Sequence, residues 1–438
     1  MADQYLRECA RRRGQLMRLI GHHAIAIVPA APVRQRNSDV EYSYRQDSDF
    51  HYLTGFDEPD AVAVLVPGRA AAEYVLFVRE RNPEREIWEG RRAGPSGAVE
   101  DYGAGDAFPV ADIDEILPGL LENRERVYYT MGLNQEFDQR VLGWVNGLRA
   151  QARTGLHPPQ EFVTLDHALH DMRLFKSRAE LGLMRRAGQI AAGAHVRAMR
   201  FCRPGCMEYE LMAELLHEFN RHGADTSYPP IVGGGANSCV LHYSANRARL
   251  SDGDVLLVDA GCELGYYASD VTRTYPVNGR FSSEQRAVYE VVLEAQRAAI
   301  TKVKPGHHWN EPHDAAVRVI TQGLLRLGLL KGTPARLIRS GAYKRFFMHR
   351  TGHWLGMDVH DVGDYKVGEQ WRVLEPGMVL TVEPGIYIPA ATRGVSRRFW
   401  NIGVRIEDDV VVTPSGCEVL TDGAPKEPDE IEALMAAA

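Results

Sequence analysis

The spacing of apolar residues predicts alternating strands and helices up to about residue 164. Residues 61–66 and 74–78 are apolar runs bounded by proline, glycine or charge, which is typical of strands. Residues 135–148 carry the three- and four-residue spacing of a helix, and so do residues 112–117, which we expect to end before Pro118. This part of the chain is therefore predicted to be an α/β domain.

The first twenty residues also have helical spacing, with Leu6, Cys9 and Ala10 on one side. They lack the apolar core of a secretion signal, and no apolar run in the chain is long enough to cross a bilayer. We therefore expect no membrane partner.

After residue 170 the pattern changes, beginning with a charged stretch at residues 171–177. Four helices are predicted, at residues 180–199, 208–222, 283–302 and 313–327. Strand-like runs and glycine-rich turns fill most of the remainder, and this order is typical of an α+β domain whose helices cover one curved sheet. We expect two domains, residues 1–172 and 173–438, because 438 residues exceed one ordinary core.

Composition narrows the function classes. Hydrophobic residues make up 45% and charged residues 25%, as in an ordinary globular protein, and the net charge is -7. The basic residues are scattered and form no aromatic-studded stripe, so we expect no nucleic-acid partner. The six cysteines include no CxxC pair, which fits free thiols in a reducing compartment and predicts a cytoplasmic protein.

Two aspartates stand next to strand-like runs. Asp259 follows the apolar run VLLV, and Asp270 begins DVTRTY. A hairpin turning near Leu264 and Gly265 would place the two carboxylates roughly opposite each other. Opposed side chains in a ladder are about 5 Å apart, and two like charges that close are costly without a cation between them. For this pair alone, the sequence is explained equally well if one aspartate is a turn residue and the other is a capping residue, without any metal.

Two glutamates extend this pattern. Glu383 ends the run VLTVE, and Glu407 lies in a predicted strand at residues 403–412. The period-two alternation of that strand places Arg405 on the same face as Glu407, where it could neutralise a single buried acid. Four such acids in one domain are harder to explain as structural residues.

Histidines provide nitrogen donors near these acids. His242 lies in VLHYSAN, and the sequence MHRTGHWLGMDVHD contains His349, His353 and His360. The four-residue spacing of His349 and His353 is that of the HExxH zinc helix, but no glutamate follows His349 and two nearby glycines argue against a helix, so we reject that motif. Any one of these histidines alone is more readily explained as structural.

Two aspartates, two glutamates and one histidine form an oxygen-rich ligand set. Such a set favours Mn²⁺, with Co²⁺ or Zn²⁺ as alternatives, over metals that prefer thiolates. Four ionised carboxylates are balanced by two divalent cations, whereas one cation would leave two buried negative charges. Two metals can together activate water and polarise a carbonyl group.

The residues Asp259, Asp270, His353, Glu383 and Glu407, within DAG, HWLG, VEPGIY and GVRIED, resemble the pita-bread metallopeptidases. The chain is most similar to aminopeptidase P, the Xaa-Pro aminopeptidases, and residues 36–65 and the string IWEGRR share this resemblance. The resemblance implies an α/β N-terminal domain that serves oligomerisation and substrate access, and an α+β pita-bread catalytic domain. It also implies a homodimer or homotetramer, and peptides with proline at position two as substrates.

Further roles are implied by the resemblance alone. Asp259 and Asp270 would hold one metal, His353 and Glu383 the other, with Asp270 and Glu407 bridging. Glu383 would also be the acid/base, with a hydroxide as the nucleophile. The residues implied to line or support the substrate site are His242, His349, His360, Tyr387, Arg405 and Trp88, and Trp88 would reach a neighbouring subunit's site in a tetramer.

Because a proline peptide bond has no N–H to recognise, we expect the ring shape to be selected, with Trp88, Tyr387 and the histidines as candidates. Prolidase, which takes only Xaa-Pro dipeptides, is the nearest alternative. Methionine aminopeptidase is disfavoured because it normally lacks the first domain. A non-catalytic binding module and a metal-free hydrolase are disfavoured because all five ligands are present. Arg350 departs from the family pattern, where a small residue follows the histidine.

Overall fold

The structure, a computed structural model, describes residues 2–437. The chain divides into two compact units, Met1–Met172 and Arg173–Ala438.

The first unit is built on one six-stranded sheet with the order β6-β5-β4-β1-β7-β8. Strand β1 runs antiparallel to β4 and parallel to β7, and the pairs β5–β6 and β7–β8 are also parallel. The strands are β1 Ala24–Pro29, β2 Gln35–Asn37, β3 Val40–Glu41, β4 Val62–Leu65, β5 Tyr74–Val78, β6 Asp106–Pro109, β7 Arg126–Tyr128 and β8 Glu161–Val163. The helices are α1 Ala2–Ile20, α2 Ser48–Thr54, α3 Pro83–Glu89, α4 Gly94–Glu100, α5 Ile113–Leu121, α6 Gln135–Ala150 and α7 Asp166–Leu174.

Helix α5 does not end before Pro118, so that prediction is wrong. The helix continues to Leu121 with Pro118 inside it. Proline removes one backbone donor from a helix interior. Three leucines of this helix are buried in the core of the unit, and their packing offsets that loss: Leu117, Leu120 and Leu121.

Helix α1 buries Cys9 of the predicted face, but the buried face also includes two arginines. Ala10 is exposed, whereas Arg12 and Arg13 are buried. The Arg12 guanidinium lies 3.9 Å from the centre of the Tyr52 ring and donates to the Tyr52 carbonyl at 3.1 Å. Burying a charged side chain is tolerable where it is hydrogen-bonded, and these partners lie 40 residues away in sequence. Helical spacing alone could not show them.

The second unit combines long helices with short strand ladders. Its helices are α8 Arg178–Phe201, α9 Glu208–Arg221, α10 Ser283–Ile300, α11 Glu311–Arg326, α12 Pro334–Arg339 and α13 Pro428–Ala436. Its strands are β9 Asp225–Thr226, β10 Ile231–Gly234, β11 Val255–Asp259, β12 Cys262–Leu264, β13 Tyr267–Ala268, β14 Thr272–Pro276, β15 Lys366–Val367, β16 Gln370–Trp371, β17 Val379–Val382, β18 Gly385–Ile388, β19 Ile402–Arg405, β20 Asp408–Thr413 and β21 Gly416–Val419.

Three ladders of this unit matter for the site: β10-β11-β14, β17-β20-β21 and β18-β19. Strands β14 and β19 are joined through Thr274, whose hydroxyl accepts from the Arg405 N–H at 3.2 Å and donates to the Arg405 carbonyl at 3.0 Å. The Glu407 N–H donates to the Thr272 carbonyl at 3.1 Å. These bonds bring the first ladder against the other two, and helices α8 and α10 pack on the same unit's strands.

A buried ion pair fixes the backbone at Glu407. Arg273 and Asp408 are both fully buried, and Nη2 of Arg273 donates to Oδ1 of Asp408 at 2.7 Å. Burial would raise the pKa of Asp408, but Arg273 and Lys426 hold it below its ordinary value. Because Nη1 of Arg273 also donates to the Glu407 carbonyl at 2.6 Å, the pair anchors this residue from behind.

Within residues 2–437, no helix combines the length and the apolar character that a membrane crossing requires.

Candidate active site

The two aspartates come together beside the β12–β13 hairpin. Asp259 ends β11 and pairs with Thr272, so Asp270 lies diagonally across from it, two residues from the directly opposite position. The hairpin turns at Gly265 and Tyr266, which both have positive φ, one residue later than expected. Shifting the centre of a hairpin by one residue moves each cross-strand partner by two, and the side-chain period of two keeps both carboxylates on one face.

The two glutamates lie where strands break. Glu383 falls between β17 and β18, and Glu407 falls between β19 and β20. The predicted continuous strand over residues 403–412 is therefore wrong. Opposite the break lies Pro384, which has no N–H for the ladder, although its carbonyl accepts from the Ile406 N–H at 3.4 Å. The interruption places both carboxylates beside the aspartates.

Arg405 and Glu407 nevertheless share a face, as the alternation predicts. Nε of Arg405 donates to the Thr272 hydroxyl at 3.1 Å, and that hydroxyl donates to Oε2 of Glu407 at 2.6 Å. Arg405 is 4% exposed and Glu407 is 2% exposed, so both lie inside the protein.

His353 lies in a segment without helix, in agreement with the rejection of the HExxH motif. Its backbone N–H donates to the Thr381 hydroxyl at 3.1 Å, and Nδ1 lies 2.9 Å from the Trp354 carbonyl. A carbonyl can only accept, so Nδ1 carries a proton, and Nε2 faces the acids. It is 3.4 Å from Oδ2 of Asp270 and 3.8 Å from Oε1 of Glu383.

Ligand atoms of Asp270, His353 and Glu407 all lie within 4.8 Å of one another. Tyr228 ties Asp259 to this group, because its hydroxyl is 2.5 Å from Oδ1 of Asp259 and 2.5 Å from Oδ1 of Asp270. Burial, followed by these two carboxylates, raises the pKa of Tyr228 well above its usual value, so the hydroxyl remains a donor. Sequence reasoning missed Tyr228, since a single tyrosine outside any strand pattern gives no signal.

A chain of hydrogen bonds leads from Asp259 to His349. Nη2 of Arg405 lies 2.5 Å from Oδ2 of Asp259, and Nη1 donates to the Tyr387 hydroxyl at 2.9 Å. That hydroxyl lies 2.9 Å from Nε2 of His349, whose Nδ1 is 2.6 Å from the Arg350 carbonyl. Burial, and then Arg405, lowers the pKa of His349 to about 3, so this imidazole is neutral and accepts the Tyr387 proton.

The remaining predicted residues lie at different distances from the acids. The ring centre of His360 is 4.4 Å from that of His353. His242 and His360 are exposed. Trp88 lies on α3 of the first unit and is 87% exposed.

The five donors fit divalent cations, because the cluster contains more negative charge than its neighbours balance. Burial raises the pKa of Asp259, of Glu407 and of Glu383, the last to about 7. Burial lowers the pKa of His353, but Asp270 and Glu383 outweigh it and raise that pKa to about 9. Protonation is thus favoured at these four residues, and divalent cations would satisfy the same need for positive charge.

A second group with metal-ligand spacing lies in the first unit and consists of Asp49, Asp166 and His170. These residues are partly exposed. Nε2 of His170 is 3.1 Å from Asp49, and the Thr130 hydroxyl donates to Asp166 at 2.5 Å. His170 and the Thr130 hydroxyl provide hydrogen-bond partners for these two acids, so nothing there requires a cation.

Comparison with known proteins connects this geometry to a family. "Metallopeptidase family M24" matches residues 182–414, and "Aminopeptidase P, N-terminal domain" matches residues 9–129. The chain is 46% identical to the Xaa-Pro aminopeptidase of Escherichia coli over 440 residues, which cover 100% of this chain and 99% of that one. It is 44% identical to the Haemophilus influenzae Xaa-Pro aminopeptidase, with 92% and 91% covered.

Solved structures agree with this assignment. The structure of Pseudomonas aeruginosa aminopeptidase PepP matches with a TM-score of 0.98 and 61% identity, covering 99% of this chain and 98% of that one. Escherichia coli aminopeptidase P in complex with substrate matches with a TM-score of 0.96 and 46% identity, over the same shares. These matches confirm the predicted α/β N-terminal domain and the α+β pita-bread catalytic domain. The chain therefore belongs to the aminopeptidase P (Xaa-Pro aminopeptidase) group of metallopeptidase family M24.

Proposed function

We propose that this protein is a metal-dependent aminopeptidase that hydrolyses the bond between an N-terminal residue and a following proline. The observation that carries the proposal is the cluster of Asp270, His353 and Glu407, whose ligand atoms lie within 4.8 Å of one another, in a chain that belongs to the aminopeptidase P group. Asp259 shares the Tyr228 hydroxyl with Asp270, and Glu383 lies 3.8 Å from His353. The relatives named above are Xaa-Pro aminopeptidases along their whole length, which favours this reaction over that of a prolidase.

The residues that would hold the metals are Asp259, Asp270, His353, Glu383 and Glu407. Two divalent cations are proposed because they match the four carboxylate charges, with Mn²⁺ preferred and Co²⁺ or Zn²⁺ as alternatives. Asp259 would help to hold one ion, His353 and Glu383 would help to hold the other, and Asp270 and Glu407 would contribute to both. When bound, such cations supply Lewis acidity toward a carbonyl and lower the pKa of water.

Glu383 is the proposed acid/base. Its side chain is 19% exposed, whereas Glu407 is 2% exposed, so Glu383 is better placed to meet substrate and water. Oε2 of Glu383 lies 3.8 Å from Nδ1 of His349, on the side of the substrate-lining histidines. In the hydrolysis, the water oxygen bonds to the scissile carbonyl carbon, the carbon–nitrogen bond breaks, and Glu383 transfers the water proton to the proline nitrogen.

The hydrogen-bonded chain of Arg405, Tyr387 and His349 would position the groups around the scissile bond. Arg405 stabilises the charge of Asp259 and orients the Tyr387 hydroxyl, which in turn orients the neutral His349. His242 and His360 would line the substrate path, and Trp88 and Tyr387 would contribute to recognition of the proline ring. The carboxylates would attract the free amine of the substrate. This attraction would make the protein an aminopeptidase rather than an endopeptidase.

Three further proposals concern the whole protein. The six cysteines have no disulfide partners within the described residues, which supports a cytoplasmic location. Ile87 and Trp88 on α3 are 82% and 87% exposed, which supports a homodimer or homotetramer. The unit Met1–Met172 would serve oligomerisation and substrate access, and the unit Arg173–Ala438 would carry out catalysis.

The test is cleavage of a matched set of peptides by the Mn²⁺-loaded protein. An Xaa-Pro-Yaa tripeptide is expected to release its first residue, whereas an Xaa-Ala-Yaa tripeptide and an N-acetylated Xaa-Pro-Yaa tripeptide are expected to remain intact. Cleavage of an Xaa-Pro dipeptide alone would identify a prolidase instead. Equal cleavage of the proline and alanine peptides would contradict the recognition of the ring, and no cleavage at all would favour a binding module.

A further inference from the structure

A cavity of about 190 Å³ lies beside His349. It is lined by aromatic rings and cations, including His313, Tyr343, Lys344, Phe347, His349 and Arg350. The ring of His349 contacts that of Phe347 edge-on, with centres 5.0 Å apart. Because Nδ1 of His349 also lies 3.8 Å from Oε2 of Glu383, His349 borders both this cavity and the proposed catalytic centre.

The cavity is cationic. Within residues 2–437, neither Lys344 nor Arg350 has a carboxylate within ion-pair distance, and both are exposed. The Arg350 guanidinium lies 5.4 Å from the centre of the Trp371 ring, and Nζ of Lys366 lies 4.8 Å from the same ring. The facing acid is Asp314, which accepts a hydrogen bond from Asn310 at 2.8 Å. The site therefore has a negative side, formed by the carboxylate cluster, and a positive side, formed by the cations of this cavity.

This charge distribution is complementary to that of a short peptide. A tripeptide carries an ammonium group at one end and a carboxylate at the other. With its amine held by the acids, the two residues after the scissile bond extend about 7 Å beyond that bond. They would leave the catalytic centre past His349, which is followed in the chain by Arg350. A carboxylate is well suited to a guanidinium, which binds it with two parallel hydrogen bonds.

We propose that this cavity binds a carboxylate on the residue that follows proline, with Arg350 as the specificity-determining residue and Lys344 in support. The carboxylate is the C-terminus of a tripeptide or an acidic side chain at the third position. The inference rests on the proposed Xaa-Pro aminopeptidase activity and adds to it a preference for short or acidic peptides.

The experiment compares three peptides that differ only after proline: Xaa-Pro-Leu, its C-terminal amide, and the amide of Xaa-Pro-Glu. The wild-type protein is expected to cleave both carboxylate-bearing peptides with kcat/KM about tenfold above the Leu amide, mainly through KM. The variant Arg350→Gln is expected to lose this preference while cleaving the Leu amide normally. The matched control is Arg345→Gln, an exposed cation of the same segment that does not line the cavity.

Preference for the free acid alone would assign the cavity to the C-terminus, and an equal gain from glutamate would assign it to carboxylates in general. An equal loss on all peptides in Arg350→Gln, or no change on any of them, would overturn the proposal. A binding measurement separates this failure from failure of the proposed function. By calorimetry, the product Pro-Leu is expected to bind about tenfold more tightly than Pro-Leu amide, and Arg350→Gln is expected to remove the difference. Equal binding by the wild-type protein would contradict the inference even if no peptide were cleaved.

Discussion

Glu383→Gln is expected to lower kcat for an Xaa-Pro-Yaa tripeptide by about 10²- to 10⁴-fold, the usual contribution of a positioned acid or base. Glutamine has nearly the same shape but cannot take up and release the proton that must reach the proline nitrogen. It also removes one of the four charges that would hold the cations. The measurement is kcat together with the metal content of the same sample, so that a lost proton carrier and a lost ion are told apart.

Glu375→Gln provides the matched control, because Glu375 is an exposed glutamate eight positions earlier in the chain. It is expected to leave kcat and metal content unchanged. A Glu383→Gln protein with near wild-type kcat would contradict both proposed roles of Glu383. A large fall in kcat with full metal content would assign the loss to proton transfer.

Tyr228→Phe is expected to weaken Mn²⁺ binding or activity by about 10- to 100-fold, the range typical when a partner that orients a metal ligand is removed. A single hydroxyl lies within 2.5 Å of both Asp259 and Asp270, and phenylalanine leaves their oxygens without this donor. Two neighbouring carboxylates that lose a shared donor repel each other and rotate more freely. The measurement is the Mn²⁺ concentration for half-maximal activity, with kcat at saturating Mn²⁺.

Tyr129→Phe is the control for this substitution, because the Tyr129 hydroxyl donates to Asp138 at 2.6 Å in the other unit. It removes the same kind of bond without touching the proposed ligands, and we expect an unchanged Mn²⁺ requirement. If Tyr228→Phe also binds Mn²⁺ and cleaves peptide like the wild-type protein, the hydroxyl does not position the aspartates.

The catalytic domain shows which site features can be predicted from the sequence. The apolar run before Asp259 predicts a buried strand, and the strand ends at that residue. The pairing with Asp270 could not be predicted, because it depends on which two residues form the turn. Gly265 and Tyr266 both adopt positive φ, and moving the turn by one residue shifts the pairing by two. Because the pairing shifts by an even number of residues, Asp259 and Asp270 still lie on the same face, as predicted.

Other features depend on contacts that no local pattern contains. The break between Arg405 and Asp408 lies opposite Pro384, in the gap between the two partner strands β17 and β18, so alternation alone predicts one continuous strand. Tyr228 reaches the aspartates from 31 and 42 residues away. The buried Arg12 is likewise stabilised by Tyr52, which only the folded chain brings close. Pattern reasoning identifies the chemistry of the site, whereas these tertiary contacts determine its exact geometry.

We expect the carboxylate group to hold two divalent cations, and we expect these ions to be required for peptide cleavage. Metal-stripped protein should be titrated with Mn²⁺ while bound ions per chain and cleavage of an Xaa-Pro-Yaa tripeptide are recorded together. We predict binding that saturates at two ions per chain, cleavage that rises with their occupancy, and loss of cleavage when a chelator is added. Full cleavage by the metal-free protein, or no cleavage with both ions bound, would contradict the claim.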